Sequence, residues 1–564
     1  AAAGPRLPLD QAGRWTVGAD GRVVVLHGVN MVSKRPPYAP DAVGFGDDDA
    51  AFLAAEGYDT VRLGVIYAAV EPQPGVYDDG YLDRIAATVR TLGRHGIVSL
   101  LDFHQDLYNE RFQGEGWPDW AISDDGLPAE PQLGFPGNYL AQPALNRAFD
   151  HFWANDPPPS GGPGLQDRYA AAWRHVALRF RDDPDVQGYD LLNEPWPGTG
   201  WQACAQTEGC PEFDARLSAF TARVTKAIRT VDPTTLVYAE PHVLFNNGVK
   251  SGLADFGDHG GLSFHDYCLQ HDSAGSTAGC DPFDDLVFAN AEARAKANHD
   301  TLLLTEFGAT PDPAVLGPMT ARADRTMVGW QVWHYCGCAD PTTTGAGDAQ
   351  ALVKDPAKAP AGNNLDAGKL SLLSRPYPRV VAGTPLRWSF DPAGGDFSAT
   401  WSPARAGGGP AFGTRAVTEI ALVARQYPDG FTASVSGGRV RGDSSAGVLR
   451  VSSCPGAPQV TVTVKRGAGA PSSECRAPAL RMAVSPRVVP SGRRVTLRIR
   501  VRVRQDGALR PVRDARVRVA GVRTRTDARG IARVPVRFAH RGVRQVVAAH
   551  SDYRGARRPL TVAD

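Results

Sequence analysis

The chain has 564 residues, 42% of them hydrophobic and 21% charged, which excludes a single hydrophobic core and supplies apolar side chains for several. No run of about 18 or more apolar residues occurs, which excludes a membrane-spanning helix. The net charge of +1 conceals a split: residues 477–564 carry 22 arginines, no lysine, five aspartates and no glutamate, a net +17 that leaves −16 on the remainder.

In chain order, Ala1-Ala2-Ala3-Gly4-Pro5 reads as what remains after a signal peptidase cuts among small residues, so the expectation is a mature exported form, secreted or held at the cell surface. Strand-like runs then alternate with helix-like ones: Val23–Val32, Thr60–Ile66, Ile97–Phe103, Val186–Leu192, Leu236–Ala239, Gly261–Phe264, Thr301–Thr305 and Gly329–Trp333. Between the second and third, Leu82, Ile85, Ala86, Val89 and Leu92 recur at helical spacing behind Asp78 and Asp79 as caps. Eight strand and helix repeats over residues 1–374 predict an α/β fold, a (β/α)8 TIM barrel with long loops whose chemistry lies at the C-terminal ends of the strands.

Polar residues unsuited to a core collect at those ends: Asn30 with Lys34, Arg62, His104 with Asp106, Asn193 with Glu194, Glu240, His265 with Tyr267, Glu306, and Trp333. The fourth strand runs into Asn193-Glu194-Pro195 and the seventh into Glu306-Phe307-Gly308. Pro195 cannot continue a ladder and biases Glu194 toward extended backbone facing a cleft. Two strand-end glutamates, one an acid and the other a nucleophile, are what retaining cleavage of a glycosidic bond requires. Their environments must push the two pKa values apart, with Arg62 and His265 as candidates for keeping Glu306 charged and Tyr267 for orienting it. Asn193 is placed to bind a sugar 2-hydroxyl, and Trp333 to offer its ring to a sugar face. Glu240-Pro241 mimics the Glu194 motif without its asparagine and is expected to play a supporting part. No phosphate-binding glycine loop or metal-ligand cluster is apparent, so no cofactor is expected.

After Ser374-Arg375-Pro376 the alternation gives way to short strands, Leu386–Phe390, Thr418–Ala424, Phe431–Val435, Val448–Val451 and Gln459–Val464, which predict a β-sandwich over residues 375–476. A joint rich in Gly, Pro and Ser (467–473) opens an immunoglobulin-like β module over residues 477–564, in which Arg498, Arg500, Arg502 and Arg504 alternate with Ile499, Val501 and Val503 and so share one face. In an exported protein such a face suits anionic lipid headgroups or acidic cell-wall polymers, not nucleic acid; an arginine-rich coding bias is the alternative. The eight cysteines fall in close pairs, Cys204 with Cys210, Cys268 with Cys280, Cys336 with Cys338 and Cys454 with Cys475, which makes local disulfides plausible, the two-residue separation of Cys336 and Cys338 being the least favourable.

The set Arg62, His104, Asn193-Glu194-Pro195, His265-Asp266-Tyr267, Glu306-Phe307-Gly308 and Trp333 resembles that of family 5 glycoside hydrolases. Within that family, Gly28-Val29-Asn30-Met31-Val32-Ser33-Lys34, Asp102-Phe103-His104-Gln105-Asp106-Leu107-Tyr108 and Gly114-Glu115-Gly116-Trp117-Pro118-Asp119-Trp120-Ala121 resemble endoglycoceramidases, which release the glycan of a glycosphingolipid from ceramide. The resemblance implies Glu194 as acid/base, Glu306 as nucleophile, and His104, Asp106, Asn193, Lys34, Trp153 and Trp333 in contact with sugar. Trp117 stands where that family has a small residue, which implies a ring narrowing the lipid-side entrance, and the basic third module lies outside the usual two-domain pattern. The apolar third loop, with Trp117, Trp120, Ile122, Leu127, Leu133, Phe135 and Tyr139, fits a greasy aglycone or simply a well-packed loop. Other readings are a family 5 cellulase, a steryl glucosidase, a diglycosidase on apolar glycosides, and a non-catalytic glycan-binding protein.

Overall fold

The structure is a computed structural model; it describes residues 8–564 except 256, 269–270, 272–274, 344–346, 443–446, 476–477, 506–507 and 551–552. Eight parallel strands close into a barrel: β1 (His27–Met31), β2 (Thr60–Ile66), β3 (Val98–His104), β4 (Val186–Asp190), β5 (Leu236–Ala239), β6 (Gly260–Asp266), β7 (Thr301–Phe307) and β8 (Gly329–Val332). Every residue of these strands is buried, as expected where helices cover the outside of a parallel sheet. The helix Asp79–Arg94 shows how the sequence sets this up. Asp78 caps it by accepting from the Tyr81 N–H at 3.0 Å, and Leu82, Ile85, Ala86, Val89 and Leu92 all turn inward.

The predicted first strand divides. Val23–Val24 leaves the barrel and pairs antiparallel with Val381 and Val380, and only His27–Met31 joins β2 and β8. A continuous apolar run does not reveal such a break, because both pieces are buried in different sheets. With Asp10–Ala12 and Trp15–Val17, these residues complete a seven-stranded sheet that faces a five-stranded one over a core containing Trp388, Phe397 and Trp401. The barrel floor is bound to this sandwich. The His27 ring stacks between Trp330 at 4.3 Å and Tyr377 at 3.8 Å, and buried Asp324 pairs with Arg375 and accepts from Trp388 Nε1 at 2.9 Å.

The third module is a second sandwich. One sheet holds Leu480–Ser485, Arg494–Gln505, Ala508–Pro511 and Ile531–Arg537, the other Val488–Pro490, Arg516–Val519, Val522–Arg525, Gly542–His550 and Tyr553–Ala563. Its core is almost entirely aliphatic. All four expected cysteine pairs are joined.

Candidate active site

Arg62, on β2, is the centre of the barrel's C-terminal end. Its fully buried guanidinium meets Glu306 at 2.6 Å, Glu240 at 2.8 Å, Asp190 at 2.9 Å, Asp102 at 3.0 Å and the Asn193 Oδ1 at 3.0 Å. Five donors in a rigid fork allow one arginine to serve strands β3, β4, β5 and β7 at once. His265, on β6, is the second cation: Nδ1 lies 2.9 Å from Glu194 and 3.6 Å from Glu306, and Nε2 lies 3.2 Å from Glu240. Burial works against its charge, but Glu240, Glu306 and Glu194 raise its pKa well above the ordinary histidine range.

Glu194 and Glu306 come together between these two cations. A carboxylate oxygen of each lies within 4.8 Å of the other and of a His265 nitrogen, a spacing that suits a retaining pair and leaves no room for the interposed water of an inverting one. The Glu306 Oε2 accepts from the Tyr267 hydroxyl at 2.8 Å while its Oε1 faces Arg62. Burial nevertheless raises the Glu306 pKa, and His265, Arg62 and His104 offset this only in part; the expectation that the cations alone would set it omitted desolvation.

Glu194 is not extended, as its place before Pro195 suggested, but left-handed, at φ 45°. Neighbours impose this. Its N–H donates to Glu240 Oε2 at 2.8 Å, Gln105 Nε2 reaches the carbonyls of Asn193 and Glu194 at 3.0 and 3.2 Å, and Asn246 Nδ2 donates to its Oε1 at 2.8 Å. A left-handed non-glycine residue costs about 1–2 kcal/mol and persists where its surroundings over-determine it. Glu240, the mimic in the sequence, thus has a defined position: burial pushes its carboxyl up to about 7 against His265 and Arg62.

A second buried polar cluster adjoins the pair. Lys34 Nζ lies 2.7 Å from Asp106, 3.2 Å from Asp340 and 4.5 Å from the centre of the Trp333 ring. Burial would lower its pKa, but Asp106, Asp340 and Glu115 raise it. Burial is likewise overcome at Asp106, which Lys34 and His104 bring down to about 2, and at His104, which Asp102 raises to about 10. His104 Nδ1 lies 2.7 Å from Asp102. Gly114 lets the third loop fold against this cluster, since a Cβ there would lie 1.8 Å from the Asp106 carbonyl oxygen. Among the described residues two triads have metal-like spacing, His104 with Asp106 and Glu115, and Glu194 with His265 and Glu306. Each already holds a side-chain cation of the chain itself, Lys34 in the first and Arg62 beside the second.

The glutamates open into a cleft. Its lining combines the polar Lys34, Asp106, Asn193, Asn246 and Thr342 with the apolar or aromatic Phe135, Tyr139, Leu140, Trp196, Val243, Leu244 and Trp333. Of the residues expected to touch substrate, Lys34, Asp106, Asn193, Tyr267 and Trp333 line the cleft, whereas Arg62, His104 and His265 lie fully buried beside it. Trp153 does not reach it. It packs edge-on against Phe213 and Phe220 in the helical layer, and its Nε1 holds the Trp196 carbonyl at 2.7 Å, so that Trp196 is the ring that faces the cleft. Trp117 is likewise absent from the entrance: it stacks on Tyr108 at 4.2 Å, buried among Phe149, Phe152 and Tyr169. Of the third loop's apolar residues Phe135 and Tyr139 reach the cleft, while Trp120, Ile122 and Leu127 pack on the core. Asn246, in the short helical turn Val243–Asn247, and Thr342, in a loop, carried no signal in the sequence, since neither has a motif around it.

Comparison with known proteins places this geometry. A family model described as cellulase (glycosyl hydrolase family 5) matches residues 17–335, and one described as glycoside hydrolase family 5 C-terminal domain matches residues 375–465. Endoglycoceramidase I of Rhodococcus hoagii (strain 103S) is 36% identical over 476 residues, 82% of this chain and 89% of that protein. Endoglycoceramidase of Hydra vulgaris is 27% identical over 415 residues, 66% of this chain and 73% of that protein. Endo-glycoceramidase II from Rhodococcus sp. superimposes with a TM-score of 0.65 at 32% identity, covering 80% of this chain and 99% of that one. That enzyme has been solved as a lactosyl-enzyme intermediate and in complex with ganglioside GM3.

Proposed function

We infer the reaction from one premise: this chain belongs to glycoside hydrolase family 5. It is a retaining glycosidase of the endoglycoceramidase type, acting on the bond between a glycan and a lipid aglycone in glycosphingolipids. The observation that carries this is the pair Glu194 and Glu306, oxygens within 4.8 Å, in a cleft lined by both polar and apolar side chains.

In this reading the ionised Glu306, held by Arg62 and Tyr267, attacks the anomeric carbon while protonated Glu194 gives its proton to the glycosidic oxygen, releasing ceramide. Glu194, now a carboxylate facing cationic His265, deprotonates a water that attacks the glycosyl ester and returns Glu306 with net retention. The covalent lactosyl-enzyme of the Rhodococcus relative supports the two-step course. Asn193, with Oδ1 fixed by Arg62 and Nδ2 by the Gln105 carbonyl at 2.9 Å, borders the site of the sugar 2-hydroxyl. Lys34, Asp106 and Trp333 receive the next sugar, and the rim bearing Phe135 and Leu140, the latter 53% exposed, receives the lipid.

The test is product analysis on GM3, glucosylceramide and steryl glucoside. Intact oligosaccharide with ceramide supports the reading; stepwise loss of terminal sugars, or preference for the steryl glucoside, overturns it. Four disulfides support an exported protein, and the arginines of the third module support contact with an anionic membrane or cell-wall surface. Full chain that fails to sediment with anionic vesicles or anionic wall polymer would refute that contact.

A further inference from the structure

The third module carries arginine on both of its outer surfaces. On the first sheet, strand pairing sets Arg481 opposite Arg502, Arg494 opposite Arg537 and Arg498 opposite Arg533. On the second, Arg516 lies opposite Arg525 and Arg518 opposite Arg523. The intervening residues Leu497, Ile499, Val501, Val517 and Val519 point inward to the shared core, so the two arginine sets face away from each other. Directly opposed like charges destabilise a strand pair, and among the described residues no carboxylate is placed to relieve them. Asp514 pairs with Arg513, Asp564 with Arg541, and Asp527 caps its own turn, all in loops or at the terminus.

Coding bias accounts for many arginines, but not for five cross-strand pairs on two faces with the described acids in loops or at the terminus. Along a strand, same-face guanidinium groups recur every second residue, about 6.8 Å apart. A flat bilayer can engage only one face of a sandwich at a time and would leave the other set uncompensated. A flexible chain with regularly repeated anionic groups can cross both.

Deepening the reading of this module as an anion-binding surface, on which it rests, we propose that its partner is a flexible linear polyanion, with repeated phosphate or carboxylate groups as in acidic cell-wall polymers, held by both sheets. Guanidinium forks pair with either group, and binding is governed by counterion release.

The test uses the full chain with three probes: long-chain polyphosphate, poly-L-glutamate and anionic vesicles. Variants remove three charges from the first sheet (Arg498→Gln, Arg502→Gln, Arg533→Gln), three from the second (Arg516→Gln, Arg518→Gln, Arg523→Gln), or all six; turnover of a soluble substrate and the melting curve report that each folds. Both polymers should bind more tightly than vesicles. Each triple variant should bind more weakly and lower the slope of log affinity against log salt by about 0.7–0.9 for each phosphate it no longer neutralises, and the sixfold variant should bind more weakly than either. Vesicle binding that equals or exceeds polymer binding, or polymer binding that depends on one face alone, would overturn the proposal while leaving the anionic-surface reading intact. Absence of binding to all three probes would overturn both.

Discussion

The hydroxyl of Tyr267 is one of two donors on Glu306, at 2.8 Å from Oε2, and Arg62 is committed to the other oxygen. Tyr267→Phe removes one hydrogen bond to a charged acceptor and nothing else of bulk, a loss of about 1.5–3 kcal/mol. Because the bond favours the ionised carboxylate, and one pKa unit corresponds to about 1.4 kcal/mol, the Glu306 pKa should climb by about one to two units. Burial already holds it above the ordinary range. A raised carboxyl is protonated, and useless as a nucleophile, over a wider span of acid pH. The acid limb of kcat/KM should therefore move to higher pH by about one to two units, with on the order of a 10–100-fold loss well below it and partial recovery above it. The assay is the pH profile on an activated aryl glycoside whose leaving group needs no proton, so that Glu306 alone is read. The fold should be kept and melting lowered by no more than that one bond accounts for, since the retained ring still packs on the cluster of Ala309 and Trp333. A fall in kcat with an unmoved acid limb would refute the assignment.

Glu306→Gln should abolish turnover of every substrate, whereas Glu194→Gln should lose about 10²–10⁴-fold on glycolipid and far less on activated aryl glycosides; equal losses on both would exchange or dissolve the roles. Proton NMR of the first-formed sugar should show the substrate's anomeric configuration, and inversion would exclude Glu306 as a nucleophile. Phe135→Ser with Leu140→Ser should raise KM for a glycosphingolipid about 10–100-fold, at 1.4 kcal/mol per tenfold, and leave a soluble aryl glycoside unaffected; parallel changes in both would place the lipid elsewhere. Burial raises the Asp284 carboxyl from 3.8 to about 6. A raised carboxyl contributes stability that is full below the unfolded value and is lost as pH rises through the folded one, so wild type should lose stability relative to Asp284→Asn between about pH 4 and 6. A flat difference across that window in paired denaturant titrations would show that this group does not titrate there.

Period and punctuation made the eight barrel strands legible, because each is a buried apolar run that stops where polar side chains crowd the barrel mouth. The two glutamates were legible for the same reason. The fate of Trp153 and Trp117 was not: a tryptophan in a long loop or amphipathic helix reads identically whether it turns toward ligand or core, and only the packing of Phe149, Phe152 and Phe220 decides. Backbone preference also misled at Glu194, where three side chains outweigh the influence of Pro195. Asn246 escaped notice because its role depends on a short helical turn, Val243–Asn247, bringing an amide to a carboxylate 52 residues away.

The pairing of Val23 and Val24 with Val381 and Val380 sets the order in which a nascent chain can finish. As the barrel emerges from the ribosome, Val23–Val24 can pair with Trp15–Val17, and β1 with β2, but the other edge of Val23–Val24 stays open throughout synthesis of the intervening barrel. Ring closure itself waits for β8, which pairs with β1. Both seams span most of the catalytic sequence, and their loop-closure entropy must be overcome late. A chain cut after residue 374 would keep its glutamates and still present an open strand edge at the barrel floor, prone to pair with a neighbour.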